Sequence, residues 1–453
     1  MLKRKVRYLL LIVVVFTGII LSVEAIMRFQ LNKNVDYYLK FFDKHKDNIE
    51  NMYDPLNIKQ IPYSTIDQLY TKRQSEAEPI DWDKFAYVNY ITDFEYLCNT
   101  LIQFRKLNDS GSKAKLLALV TDTLVNKSKE NKEVEALLNK IKSVSDRVAV
   151  TEVGSVIQPN DHTPWSKSLT KLAIFNLTDY ERIIYMDNDA IIHDKMDELF
   201  FLPSYVKFAA PISYWFVTAD DLRTVSTDTK KLFKTNKLDP IEKKLASRVK
   251  NSLEIYNHLP NLPQHFYSKS MNFIIDIDGF QKSDNKVNFA THLMVIKPDV
   301  TMANDIRDNI LPRYLKAKEE YDTDLINEEL YNFKELIYYQ FKIFRKIQYL
   351  FKPSVLILPY TKYGLLTKSI DDKRQKDLLK NAILGYERKE KDDLIQDAKF
   401  IHFSDYPLSK PWFYSNADDI QCSKKYSISD ENCQLWKSLY KEYLESRAIC
   451  QVN

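Results

Sequence analysis

The run Leu116-Leu117-Ala118-Leu119-Val120 constrains the fold more than any other feature of this 453-residue chain. Five consecutive apolar residues with no polar alternation suit a strand covered on both faces, as in a parallel sheet between layers of helix. The flanking text agrees. A strand at Ala86–Ile91 leads into a helix over Glu95–Leu107, with Tyr96, Leu97, Leu101 and Phe104 apolar and a stop at Asn108-Asp109-Ser110-Gly111. Another strand at Arg147–Val150 follows, then a helix from Ser168 that leads to Arg182-Ile183-Ile184-Tyr185-Met186. Strands alternating with helices predict an α/β fold with a mostly parallel sheet, and ligands bound at the carboxyl ends of the strands. Residues 215–260 interrupt the pattern with a Lys-rich helical stretch, expected as a surface insertion. Strands resume at Phe273–Ile275, Leu293–Ile296, Val355–Pro359 and Phe400–Phe403.

The N-terminus sets the compartment. Lys3, Arg4, Lys5 and Arg7 precede an uncharged run from Tyr8 to Val23. As a helix this run spans roughly 24 Å, enough for a thin secretory-pathway membrane. The leading positive charge places residues 1–7 in the cytoplasm, 8–27 in the membrane and the rest in the lumen. A signal peptide cleaved near Ala25 is the alternative. Residues 28–80, polar and interrupted by Pro55, Pro62 and Pro79, read as a stem; 81–420 read as the catalytic domain and 421–453 as a Cys-containing tail. Sequons at Asn108, Asn126 and Asn176 agree with a lumenal location. Of four cysteines, Cys98 reads as a buried thiol, and Cys422–Cys433 is the pairing that closes the shortest loop, leaving one thiol over. A net charge of +4 without a basic block outside the N-terminus argues against a nucleic-acid partner.

Four Asp-x-Asp spacings could hold a divalent cation through two carboxylates on one side of an extended segment. Asp81-Trp82-Asp83 precedes the first strand and reads as solvated; Asp322-Thr323-Asp324 opens a helix, where acids are favoured without a metal. Asp276-Ile277-Asp278 follows an apolar strand and precedes Gly279, and Asp187-Asn188-Asp189 lies between the apolar Ile183–Met186 and Ala190–Ile192. Local context leaves these last two in competition.

A wider pattern decides between them. Tyr180 to Asp189, with Met196-Asp197-Glu198-Leu199-Phe200 after it, resembles the metal-binding stretch of the glycogenin-like family 8 glycosyltransferases. Four more segments follow that family's order: Ala86-Tyr87-Val88 with Thr92, Asp93 and Tyr96; Leu169-Thr170-Lys171-Leu172; Asp322 to Asn327; and His402-Phe403 with Lys410-Pro411-Trp412. The resemblance spans roughly residues 84–413. It implies a GT-A type fold, a nucleotide-sugar donor and a manganese or magnesium ion on Asp187, Asp189 and His402. Thr92, Asp93, Tyr96, Lys171 and Asn188 would line the nucleotide-sugar site. Lys410 would hold the diphosphate, and Asp322 would touch the transferred sugar.

Within the family, Tyr96-Leu97-Cys98 and Thr291–Pro298 resemble the fungal Golgi N-acetylglucosaminyltransferases. That implies a single-pass type II Golgi protein transferring GlcNAc from UDP-GlcNAc, with retention, to mannose-containing glycans. Two departures from the family stand out. Phe289-Ala290-Thr291-His292 replaces Phe-Asn-Ser-Gly, so His292 must reshape the sugar pocket. The closing motif is also two residues longer between His402 and Lys410 and lacks its usual glycine. A glucosyl-, galactosyl- or mannosyltransferase, a non-catalytic glycan-binding or chaperone subunit and a secreted carbohydrate hydrolase are the other readings.

Overall fold

The computed structural model describes residues 12–22, 25–26, 58–213 apart from 160, 162 and 164, 238–262, 288–316, 321–332, 355–370, 395–422 and 428–451. Strands β1 (Phe85–Ile91), β2 (Lys115–Thr121), β3 (Val148–Val153) and β4 (Arg182–Met186) fall where the apolar runs predict them. With β6 (Phe208–Ala210), β7 (Leu293–Ile296) and β8 (Val355–Ile357) they form a seven-stranded sheet ordered β3-β2-β1-β4-β7-β6-β8.

Its first four strands are parallel neighbours, but β7 runs antiparallel to both β4 and β6, which makes the sheet mixed. The reversal matters for chemistry. Pairing of Met186 with Leu293 brings the entry of β7, Thr291-His292, beside the exit of β4. The carboxyl ends of β1 and β4 and the amino end of β7 therefore share one edge.

A second sheet, β5-β10-β9, joins β5 (Ala190–Ile192), β10 (Phe400–His402) and β9 (Leu365–Leu366). Asp187-Asn188-Asp189 is the turn that carries the chain from the large sheet into the small one. Gly364, just before β9, is required by space: a Cβ there would lie 2.6 Å from the Pro211 side chain. Gly111 (φ 73°) takes the left-handed conformation just past the end of the helix Phe94–Asp109.

Helices α1 (Tyr63–Ser75), α2 (Phe94–Asp109), α3 (Lys132–Lys142), α4 (Leu238–Lys250) and α5 (Asp430–Arg447) cover the sheets. Three segments are packed more closely than their sequence suggests. The stem was expected to reach residue 80, yet Ile58, Ile61 and Ile66 are core residues, and α1 packs on α4. Proline-punctuated polar sequence concealed them because few apolar anchors suffice to dock a short helix. The described part of the Lys-rich insertion is likewise no mere surface excursion, since Leu245 and Val249 are buried in one cluster with Ile61 and Ile66. The tail is also built in: Trp436, Tyr440 and Tyr443 of α5 are buried, and the Trp436 indole donates to the Thr367 carbonyl at 2.9 Å.

Cys98 is not a thiol. It is bonded to Cys450, while Cys422 is bonded to Cys433, so all four cysteines are used. The strand expected at Phe273–Ile275 and its Asp276-Ile277-Asp278 lie outside the described residues. So do parts of the expected membrane segment; its residues 12–22 are helical with Ile12, Val13, Val14, Val15 and Phe16 exposed. Among the described residues no helix is long and apolar enough to cross a membrane.

Candidate active site

The turn after β4 is shaped from behind by two buried amides. Asn89, in the middle of β1, donates to the Met186 carbonyl at 2.8 Å and to Gln103 Oε1 at 2.9 Å. Gln103 Nε2, on α2, lies 2.9 Å from the Asp187 carbonyl, 3.2 Å from that of Asn188 and 3.0 Å from that of Ala190. Asn188 turns inward and donates to the Tyr90 carbonyl at 2.7 Å. Backbone polar groups that would otherwise be stranded are thus paired, and the turn is held in one conformation.

With Asn188 pointing in, the two aspartates point out to the shared edge. The β10–β5 ladder puts His402 opposite Ala190, and the Phe403 N–H donates to the Asp189 carbonyl at 2.8 Å. This register brings His402 Nε2 to 3.0 Å from Asp189 Oδ1 and 3.8 Å from Asp187 Oδ2. Asp187, Asp189 and His402 each offer one ligand atom, all within 4.8 Å of one another. Two hard carboxylate oxygens and one imidazole suit a six-coordinate divalent cation with positions left for ligand oxygens.

Two lysines frame this cluster. Lys410 Nζ lies 2.7 Å from Asp189 Oδ2 and 3.2 Å from Asp405 Oδ1, and it donates to the Phe403 carbonyl. The longer closing loop therefore still delivers its lysine, and Asp405 pairs with it. Lys171 Nζ, from the short helix Ser168–Asn176, bridges Asp187 Oδ1 at 3.1 Å and Asp322 Oδ2 at 2.7 Å. It also lies 5.2 Å from the centre of the Tyr185 ring. The Tyr185 hydroxyl donates to Asp187 Oδ1.

The charges are unequal. Burial pushes the Asp187 carboxyl above its usual range despite Lys171. Burial works the same way on Asp189, but His402 and Lys410 beside it hold that carboxyl well below the usual range. Burial also opposes the Lys171 ammonium, yet Asp187 and Asp322 raise it above the ordinary lysine value.

The remaining expected residues sit around this core. Thr92 Oγ1 donates to Asp93 Oδ2 at 2.8 Å, and Asp93 pairs with Lys167 at 2.9 Å, just past the end of β1. The Tyr96 ring meets Trp412 edge-on at 6.2 Å. Burial raises its phenol pKa, with the Asp189 charge adding to the shift. Thr291 Oγ1 reaches Asp322 Oδ2 at 3.4 Å. His292 is buried against Phe400, with parallel rings 5.8 Å apart, and its ring centre is 5.2 Å from that of His402. Burial depresses its imidazole pKa far below the usual value.

Not every acid in the pattern joins the site. Asp197 accepts from Tyr87 at 2.8 Å and Ser112 at 2.7 Å, and Glu198 from Tyr363 at 2.6 Å and Lys399 at 2.9 Å, so both serve packing. Asp83 pairs with surface Lys115 at 2.8 Å, as expected of a solvated acid.

No family model matches the chain. Individual relatives do. The protein named glucose N-acetyltransferase 1 in Candida glabrata is 42% identical over 483 residues, covering 99% of this chain and 96% of its own. The protein of the same name in Saccharomyces cerevisiae is 42% identical over 486 residues, covering 99% of both chains. An inositol phosphorylceramide glucuronosyltransferase 1 from Arabidopsis thaliana is 32% identical over 120 residues, which is 26% of this chain and 20% of that one. Identity of this degree, end to end, places the chain in the glucose N-acetyltransferase 1 family.

Proposed function

We propose that this enzyme is a GT-A type glycosyltransferase that moves GlcNAc from UDP-GlcNAc, with retention, to mannose-containing glycans. The observation that carries the proposal is the convergence of Asp187, Asp189 and His402 within 4.8 Å at the strand edge, flanked by Lys410 and Lys171. Full-length likeness to proteins named for a glucose N-acetyl activity, and partial likeness to a glucuronosyltransferase, support sugar transfer. A lumenal active domain on a single-pass Golgi anchor is part of the same proposal, supported by the basic residues before the uncharged run 8–23.

Asp187, Asp189 and His402 would hold a manganese or magnesium ion, which when bound supplies Lewis-acid neutralisation of the diphosphate leaving group. Lys410 keeps a positive charge within 2.7 Å of Asp189, where the diphosphate would lie, so leaving-group charge meets a fixed cation. Thr92, Asp93 and Tyr96, beyond the end of β1, would line the uridine. Lys171 fixes the Asp322 carboxylate, which can accept a hydroxyl hydrogen from the sugar and orient it. The acceptor hydroxyl then approaches on the face from which UDP departs, and its proton passes to a departing phosphate oxygen.

The test is turnover by purified full-length protein of a panel of labelled UDP-sugars, with and without manganese and a mannose oligosaccharide. The expected result is manganese-dependent GlcNAc transfer giving an α-anomeric proton signal in the product. Preference for another sugar would redirect the donor assignment. Turnover unaffected by chelation would sink the metal's role.

A further inference from the structure

The segment before Lys171 presents an aromatic side chain to water in an ordered setting. Trp165 is 54% exposed, and Ile157 in the same segment is 48% exposed. Isolated exposed apolar residues are ordinary; this one is distinguished by how it is held and where. The Ser168 N–H donates to the Trp165 carbonyl at 2.8 Å, and the Gln158 N–H donates to the Ser166 carbonyl at 2.9 Å. Lys167 braces the segment on Asp93 at 2.9 Å. Tyr321 meets the indole edge-on, ring centres 5.9 Å apart at 63°, and its hydroxyl is 3.3 Å from Thr163 Oγ1.

The position follows from the chain of contacts. Lys410 touches Asp189 at one end of the cluster; at the other, Asp187 touches Lys171 and Lys171 touches Asp322. Tyr321 directly precedes Asp322, and the Asp322 N–H donates to Ser168 Oγ at 3.3 Å. The indole therefore packs on the residue that directly precedes Asp322, in the segment that supplies Ser168 to the Asp322 N–H. An indole face carries negative quadrupolar charge, and the C–H-rich face of a pyranose presents weakly positive hydrogens that match it.

Resting on the glycosyltransferase reading, we propose that Trp165, backed by Tyr321, is the platform on which a hexose ring of the acceptor glycan stacks. A flat aromatic with few rotatable bonds gives contact area at low entropic cost, which suits an acceptor that must be held while its hydroxyl reaches the donor.

The experiment compares full-length wild type, Trp165→Ala and Trp165→Phe in two assays. In the first, with UDP-GlcNAc and a mannose oligosaccharide, Trp165→Ala raises the acceptor KM at least about fivefold while the donor KM is kept, and Trp165→Phe recovers most of the loss. In the second, calorimetric titration with the mannose oligosaccharide alone, Trp165→Ala weakens binding by a similar factor. An acceptor KM and a glycan affinity within twofold of wild type overturn the proposal. So does a donor KM that rises in step, which would put the indole at the nucleotide base. Wild type that binds the oligosaccharide through Trp165 but turns over no sugar nucleotide would remove the glycosyltransferase reading and leave the platform standing.

Discussion

Gln103 Nε2 lies 2.9 Å from the carbonyl oxygen of Asp187, so a side chain on α2 fixes the backbone from which the first candidate metal ligand projects. Its own oxygen is held by Asn89, which also takes the Met186 carbonyl, and the pair forms one buried support for the turn. Supports of this kind typically change metal affinity about 10- to 100-fold when removed. Gln103→Leu should therefore weaken manganese binding by about that factor, read from the free-ion signal in electron paramagnetic resonance. It should also cost about 1–3 kcal/mol of stability for carbonyls left unpaired. Unchanged manganese affinity would show that the turn holds its shape without the amide.

The three ligands themselves should behave as a unit. Asp187→Asn, Asp189→Asn and His402→Ala are each expected to lower transfer at least about 100-fold, in line with the loss of one preorganised charge-stabilising contact. Combining two of them should cost far less than the product of the single losses, because each alone already empties the site. Full multiplicative losses would mean that the residues act independently, and the shared-cation assignment would fail.

Much of this arrangement could be read in the linear text, for identifiable reasons. Leu116–Val120 and Ile183–Met186 announce buried strands because unbroken apolar runs admit few alternatives. Asp187, Asp189, His402, Lys171 and Lys410 were found through ordered motifs, and the folded chain brings all five within a network of ion pairs. Gln103 and Asn89 were missed, although each left a signal: a polar residue within an apolar strand or on the covered face of a helix must find a partner or cost stability. The bond from Cys98 to Cys450 left no such trace. Nothing in the local sequence of either residue points across 352 positions. The docking of residues 58–75 was also hidden, since a polar helix anchored by Ile58, Ile61 and Ile66 resembles a linker until its partners are in place.

Lys171 has a structural duty beside its place in the site. It is buried between Asp187 and Asp322, so removing its charge leaves two carboxylates without the ammonium that joins them. Lys171→Met is predicted to lose about 3–5 kcal/mol in urea unfolding, the usual cost of stranding a buried partner. Manganese should restore more stability to this variant than to wild type, because a cation on Asp187 replaces part of the missing charge. Equal manganese stabilisation of both proteins would show that Lys171 and the metal site are not electrostatically coupled.

The C-terminal helix should prove as important to the site as its distance in sequence makes it look irrelevant. Cys450 bonds Cys98 on α2, and the Tyr443 hydroxyl donates to Asn99 Oδ1 at 2.5 Å, both within two turns of Gln103. The covalent link therefore braces the helix that supports the Asp187 turn. Cys98→Ser and Cys450→Ser should each destabilise the protein by roughly 2–5 kcal/mol, and the double variant should be no worse than either single one. Manganese affinity should fall in both. Cys422→Ser breaks a bridge with only 11 residues of separation and no bond to α2, so it should leave manganese affinity alone. Peptide mapping of unreduced protein checks the pairing directly, and a peptide joining Cys98 to Cys422 or Cys433 would refute this account of the brace.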